Sequence, residues 1–227
     1  MSLPIDLDGP RFGPAAGGAT RELVVLLHGY GSDGNDLISL APLLGQALPN
    51  AAFVSPHAPF PCEMAPMGRQ WFSLENIDDA ARYSGAESVR PMLDSFLDSE
   101  LKAHGVTESR LSLLGFSQGA MMALHTALRR PQTIAGVVGF SGRLIGAKHL
   151  DRDLRTKPPC LLVHGGSDPV VPAQLLGEAV QALQATGLSV DYALRPGLGH
   201  SIDEEGLRRA VAFLRQVLPE TGPQERV

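Results

Sequence analysis

Apolar residues along this chain come in two alternating kinds of segment. Short apolar runs at 23–28, 51–55, 110–115, 135–140, 159–164 and 188–194 have the length of buried strands. Between and after them, 35–48, 84–104, 118–130, 173–186 and 203–218 repeat apolar residues at helical spacing. This alternation predicts a mostly parallel central sheet with helices on both faces, built as a single α/β domain spanning 1–227. Residues 1–20 hold four glycines and three prolines without periodicity, which leaves either an irregular edge strand or an arm. Residues 219–227 read as a frayed polar tail.

The run at 110–115 does not stop at an ordinary turn. It enters Gly115-Phe116-Ser117-Gln118-Gly119 and leaves as an Ala/Met-rich helical pattern. A Gly-x-Ser-x-Gly pentapeptide between strand and helix is the signature of a nucleophile elbow, in which a sharp turn lifts a serine hydroxyl clear of the sheet. Alone it could be a glycine-rich turn with an incidental serine; the strand before and the helix after favour Ser117 as a nucleophile. Such a hydroxyl needs a base, and the base an orienting acid. Asp168 follows the strand-like run 159–164 in Gly165-Gly166-Ser167-Asp168-Pro169, and His200 follows 188–194 in Gly197-Leu198-Gly199-His200. Read singly, Asp168 is a turn aspartate and His200 a loop histidine. Their order and their places at strand ends make Ser117, Asp168 and His200 the candidate catalytic triad.

The strand at 23–28 opens into His28-Gly29-Tyr30-Gly31-Ser32-Asp33-Gly34. The spacing fits neither a dinucleotide fingerprint nor a P-loop. It suits instead a loop whose Tyr30 backbone N–H, with that of Gln118, would hold a developing oxyanion. His28 precedes the nucleophile and is expected to be structural.

Residues 143–159 leave no room for a cap domain, so an open cleft is expected. The long segment 56–80, with Met64, Met67, Trp71 and Phe72 among prolines, is the candidate substrate-binding groove; its competing reading is a hydrophobic cluster packing the loop down. A net charge of −5 offers no general attraction to nucleic acid, and Arg129-Arg130 reads as a complement to a helix dipole. Asp78-Asp79 and Asp94/Asp98 read as solvated faces. Cys62 and Cys160 are too isolated to suggest a disulfide scaffold or a zinc site, and neither a metal nor a cofactor is expected. With no membrane-length apolar segment and no basic-then-apolar leader, a cytoplasmic protein without stable membrane insertion is expected. Self-association into a homodimer stays open.

His28-Gly-Tyr-Gly-Ser-Asp-Gly-Asn-Asp-Leu, Arg69-Gln-Trp-Phe, Gly115-Phe-Ser-Gln-Gly-Ala, Gly165-Gly-Ser-Asp-Pro-Val-Val-Pro and Gly199-His200 together resemble the phospholipase/carboxylesterase family of serine hydrolases, over about 23–218. The first loop is similar to the bacterial carboxylesterase branch, and Ser73 stands where the related acyl-protein thioesterases often carry an acid. The resemblance implies an α/β-hydrolase fold and a cofactor-free serine esterase. It implies Ser117, Asp168 and His200 as triad, Tyr30 and Gln118 as oxyanion donors, and a groove near Trp71. The expected substrate is a small-molecule carboxylic ester, cleaved through an acyl-enzyme. A thioesterase, a lysophospholipase or a non-catalytic binding protein on the same scaffold are the alternatives.

Overall fold

A computed structural model describes residues 6–75 and 78–219. The six apolar runs form six adjacent parallel strands: β2 (Glu22–Leu27), β3 (Ala51–Val54), β6 (Leu111–Phe116), β7 (Gly136–Phe140), β8 (Cys160–Gly165) and β9 (Val190–Arg195). A two-residue strand, β1 (Arg11–Phe12), pairs antiparallel with β3, giving the order β1-β3-β2-β6-β7-β8-β9. The N-terminal segment therefore contributes an edge strand. Of the expected tail, 220–227 lie outside the described residues.

Side chains of β2 alternate between two cores, as the pleat requires. Leu23, Val25 and Leu27 join one with α3 (Asp79–His104), α4 (Gln118–Ala127) and α6 (Gln174–Ala185). Val24 and Leu26 face the other, with α1 (Gly34–Leu37), α2 (Ala41–Ala47) and α7 (Glu204–Val217). Burial on both faces explains why β2, β6, β7 and β8 read as continuous apolar runs.

Three boundaries differ from expectation for identifiable reasons. The helix predicted over 35–48 is broken into α1, a 3₁₀ turn at Ile38–Leu40, and α2. Pro42 in the first turn of α2 has no N–H to give and its ring would meet the carbonyl of residue 38, so the helix restarts there. Helix α3 begins at Asp79 rather than 84, because Asp78 caps it: its Oδ1 accepts from Ala81 N–H at 2.7 Å. The segment 56–80 contains a small hairpin, β4 (Phe60–Pro61) with β5 (Arg69–Gln70), too short to leave a period. Between β7 and β8 there is only a 3₁₀ turn and α5 (Leu150–Asp153), so no cap domain is inserted.

The acidic pairs are not simply solvated. Arg130, 1% exposed, donates to Asp94 at 3.1 Å and Asp98 at 2.6 Å, while Asp79 pairs with Arg143 at 2.8 Å. Arg129 is likewise buried, bonded to His125 O and Asp153. Both arginines lie just past α4 as internal cross-links between helices, not as exposed complements to its dipole.

Candidate active site

Close backbone approach dictates the turn between β6 and α4. A Cβ on Gly115 would lie 2.4 Å from the Gly119 backbone, and one on Gly119 only 1.9 Å from Leu27 O. Only glycine fits at either arm. Ser117 between them has φ 54° and ψ −118°, and its N–H bonds to Phe140 O at 2.8 Å. Its hydroxyl stands at the carboxyl end of the sheet, where ligands bind in parallel α/β structures.

The two other strand-end residues converge on it. His200 Nε2 lies 2.9 Å from Ser117 Oγ, and His200 Nδ1 lies 2.7 Å from Asp168 Oδ2. Backbone bonds bring their loops together: Gly166 N–H to Arg195 O at 2.7 Å, and Ser167 N–H to Leu198 O at 2.9 Å. Phe116 packs against the His200 ring, with centroids 4.8 Å apart.

Asp168 fulfils both descriptions that its sequence context allows. Its Oδ1 accepts from Val170 and Val171 N–H at 2.8 and 2.9 Å, the expected turn interaction, and its Oδ2 is left for His200. Burial pushes this carboxyl up, but the bonds from His200, Val171 and Val170 outweigh it and hold it below the usual range. Behind it stands His164, which sequence reasoning did not single out. Its Nε2 lies 2.9 Å from Val171 O and 3.5 Å from Asp168 Oδ2.

Gln118 follows the serine directly, and the loop that carries Tyr30 approaches it at Gly29. As the first residue of α4, Gln118 has an N–H without an intrahelical partner. The Gly29 backbone approaches the serine closely enough that a Cβ there would lie 3.4 Å from Ser117 Cβ. The loop is fixed from outside by Gly31 N–H to Arg69 O at 2.9 Å and Arg69 N–H to Ser32 O at 2.7 Å. The Tyr30 phenol, pushed up to about 12 by burial and by Cys62 and Glu63, stays protonated and donates to Glu63 at 3.3 Å. Fully buried His28 accepts from Ala58 N–H at Nε2 and so donates from Nδ1 to Gly29 O. Burial lowers its basicity, in keeping with a structural role.

The expected groove is not where the sequence places it. Trp71 is 0% exposed and Phe72 2%, both inside the main core. Trp71 Nε1 donates to His28 O at 2.9 Å. The Gln118 carboxamide accepts from Trp71 N–H and donates to Phe72 O, each at 2.8 Å. Aromatic bulk on a loop reads as groove or as packing, and these polar anchors decide for packing. Met64 and Met67 go the other way, 82% and 94% exposed, since the hairpin tip holds them off the body. The clamp by the Gln118 side chain had no signal in the sequence beyond its place in the pentapeptide.

A cleft of mixed polar and apolar lining lies elsewhere, past the segment that follows β7. Gly142 approaches the nucleophile, a Cβ there falling 2.7 Å from Ala120 Cβ and 3.3 Å from Ser117 O. The neighbouring Arg143 and Leu144, with Asp79, Lys148, Leu175, Glu178 and Ala179, line a cleft of about 190 Å³. Among the described residues no group of three His, Cys, Asp or Glu side chains could hold a metal ion, and no helix is long and apolar enough to cross a membrane.

Comparison with known proteins finds relatives among esterases and thioesterases. The chain is 30% identical to esterase YpfH of Escherichia coli (strain K12) over 199 residues, covering 88% of this chain and 84% of that one. It is 29% identical to acyl-protein thioesterase 1 of Gibberella zeae, covering 91% and 94%. Its fold superposes on the crystal structure of esterase PE8 with a TM-score of 0.90 at 42% identity, covering 94% of this chain and all (100%) of the other. Residues 15–218 match the phospholipase/carboxylesterase family, and with its α/β-hydrolase sheet and its esterase relatives the chain belongs to that family of hydrolases.

Proposed function

We propose that the protein is a serine carboxylesterase working through an acyl-enzyme. The observation that carries this reading is the continuous hydrogen-bonded line from Ser117 Oγ through His200 to Asp168. Ser117 Oγ attacks the ester carbonyl carbon as its proton passes to His200 Nε2, and Asp168 holds Nδ1–H in place and steadies the imidazolium. The N–H groups of Gln118 and Tyr30 meet the oxyanion. Collapse expels the alcohol, protonated by His200. Water then repeats the sequence and releases the carboxylic acid, restoring Ser117.

The acyl chain is assigned to the apolar side of the cleft past β7, beside Leu144, Leu175 and Ala179. A cytoplasmic setting belongs to the same proposal, supported by two cysteines that are both free, buried thiols. The similarity to a thioesterase gives a second reading, since the same chemistry cleaves thioesters. A fluorophosphonate probe should label the protein at Ser117 and fail on Ser117→Ala; absence of label on the wild type overturns the mechanism. The kcat/KM of a matched ester and thioester pair, which reports acylation before the common acyl-enzyme is reached, then separates the two readings.

A further inference from the structure

Among the described residues, strand β9 ends the sheet with an open edge. Cys160 N–H bonds to Ser189 O at 3.0 Å and Gly166 N–H to Arg195 O at 2.7 Å, so the odd-numbered residues of this strand hydrogen-bond to β8. The N–H and C=O groups of Val190, Tyr192 and Leu194 therefore point outward. Tyr192 and Leu194 share one face and are 58% and 50% exposed. An edge of six residues carrying two bare apolar side chains is a template for another strand. At the opposite end of the sheet, β1 is two residues long and offers little to pair with.

The sequence of this edge is complementary to itself. In an antiparallel pairing centred on Ala193, Tyr192 of each copy lies opposite Leu194 of the other, and both are outward-bonding positions. The same register sets Asp191 of each copy opposite Arg195 of the other, on the sheet's other face. Arg195 gives only its Nε to Asp203, at 2.9 Å, among the described residues, which leaves the Nη groups for that carboxylate. Centring on Tyr192 instead would put Asp191 opposite Ala193 and lose both ion pairs. We propose that two copies of this chain associate through β9, antiparallel about Ala193, joining their sheets into one continuous sheet across a twofold axis.

Sedimentation velocity of the full chain over a range of concentrations reads the association directly, against a protomer of 24.1 kDa. Hydrogen exchange should show the Tyr192 and Leu194 amides gaining protection with concentration. Asp191→Arg, at an exposed position, should weaken association at least tenfold, because it faces Arg195 of the second copy. Arg195→Asp should do the same. Mixing the two monomeric variants should restore a heterodimer, since both cross-strand pairs become unlike charges again. Melting curves establish that each variant is folded; if Arg195→Asp is not, the exchange pattern and Asp191→Arg decide. A protein that is monomeric throughout overturns the proposal. So does a dimer whose Tyr192 and Leu194 amides stay unprotected or that Asp191→Arg leaves intact, because it would use another face.

Discussion

Ser117 sits in a backbone conformation that glycine adopts at lower cost, worth on the order of 1–3 kcal/mol. Ser117→Gly should therefore be inactive yet melt higher than wild type, whereas Ser117→Ala should be inactive without that gain. Calorimetry on the two variants checks the difference. Asp168→Asn keeps the shape but presents a donor to His200, and should lower kcat by about 10⁴-fold. A loss within tenfold would leave Asp168 only its turn bonds to Val170 and Val171. Trp71→Ala is expected to destabilise by about 3–5 kcal/mol and to lower turnover of all chain lengths alike, as a core aromatic does. Retained stability with loss of long-chain preference alone would return Trp71 to the groove. Its burial was not legible in the sequence: what sequesters it is the Gln118 carboxamide and the His28 carbonyl, both remote in the chain. Ser117, Asp168 and His200 were legible because each is announced locally, by an apolar run that stops and by glycines that follow or precede.

At the scale of elements, α3 and α4 are joined by charges rather than by apolar contact alone. Removing the Arg130 guanidinium would take one partner from Asp94, which keeps Arg90, and from the exposed Asp98, and Arg130→Ala should cost about 1.5–3 kcal/mol in denaturant unfolding. The same junction sets a pH dependence. Burial, with the charge of Arg129, pushes His125 down to about 4, although it donates to Glu87 at 2.7 Å. Because the folded value is depressed, this histidine's contribution is whole above the unfolded value near 6.5. It is lost as pH falls from there towards 4, by up to about 3 kcal/mol. Unfolding free energies at several pH values should show that slope, and His125→Gln should flatten it. The helix ends show what a local pattern misses: the apolar spacing over 35–48 runs across the break at Pro42, and whether Arg129 and Arg130 face water or carboxylates depends on α3, which the pattern cannot position.

Over the whole molecule, no cap covers the site among the described residues, and under the proposed function selectivity would rest on the cleft beside Leu144 and Ala179. Each methylene buried there is worth about 0.8 kcal/mol. Ala179→Phe should fill that space and cut kcat/KM for butyryl and longer esters about tenfold or more, sparing acetyl esters. Equal losses at all lengths would place the acyl chain elsewhere. The order of strands has a consequence for how activity is acquired. Leu23 pairs with Leu111, so β2 and β6, which bring the Tyr30 loop and Ser117 together, meet only after the intervening hairpin and α3 have been spanned. Pairings this distant are kinetically slow. During refolding, helical signal should return well before esterase activity, and a chain interrupted in synthesis before β9 would hold the nucleophile without its base: an assembled elbow, able to be formed but not to turn over.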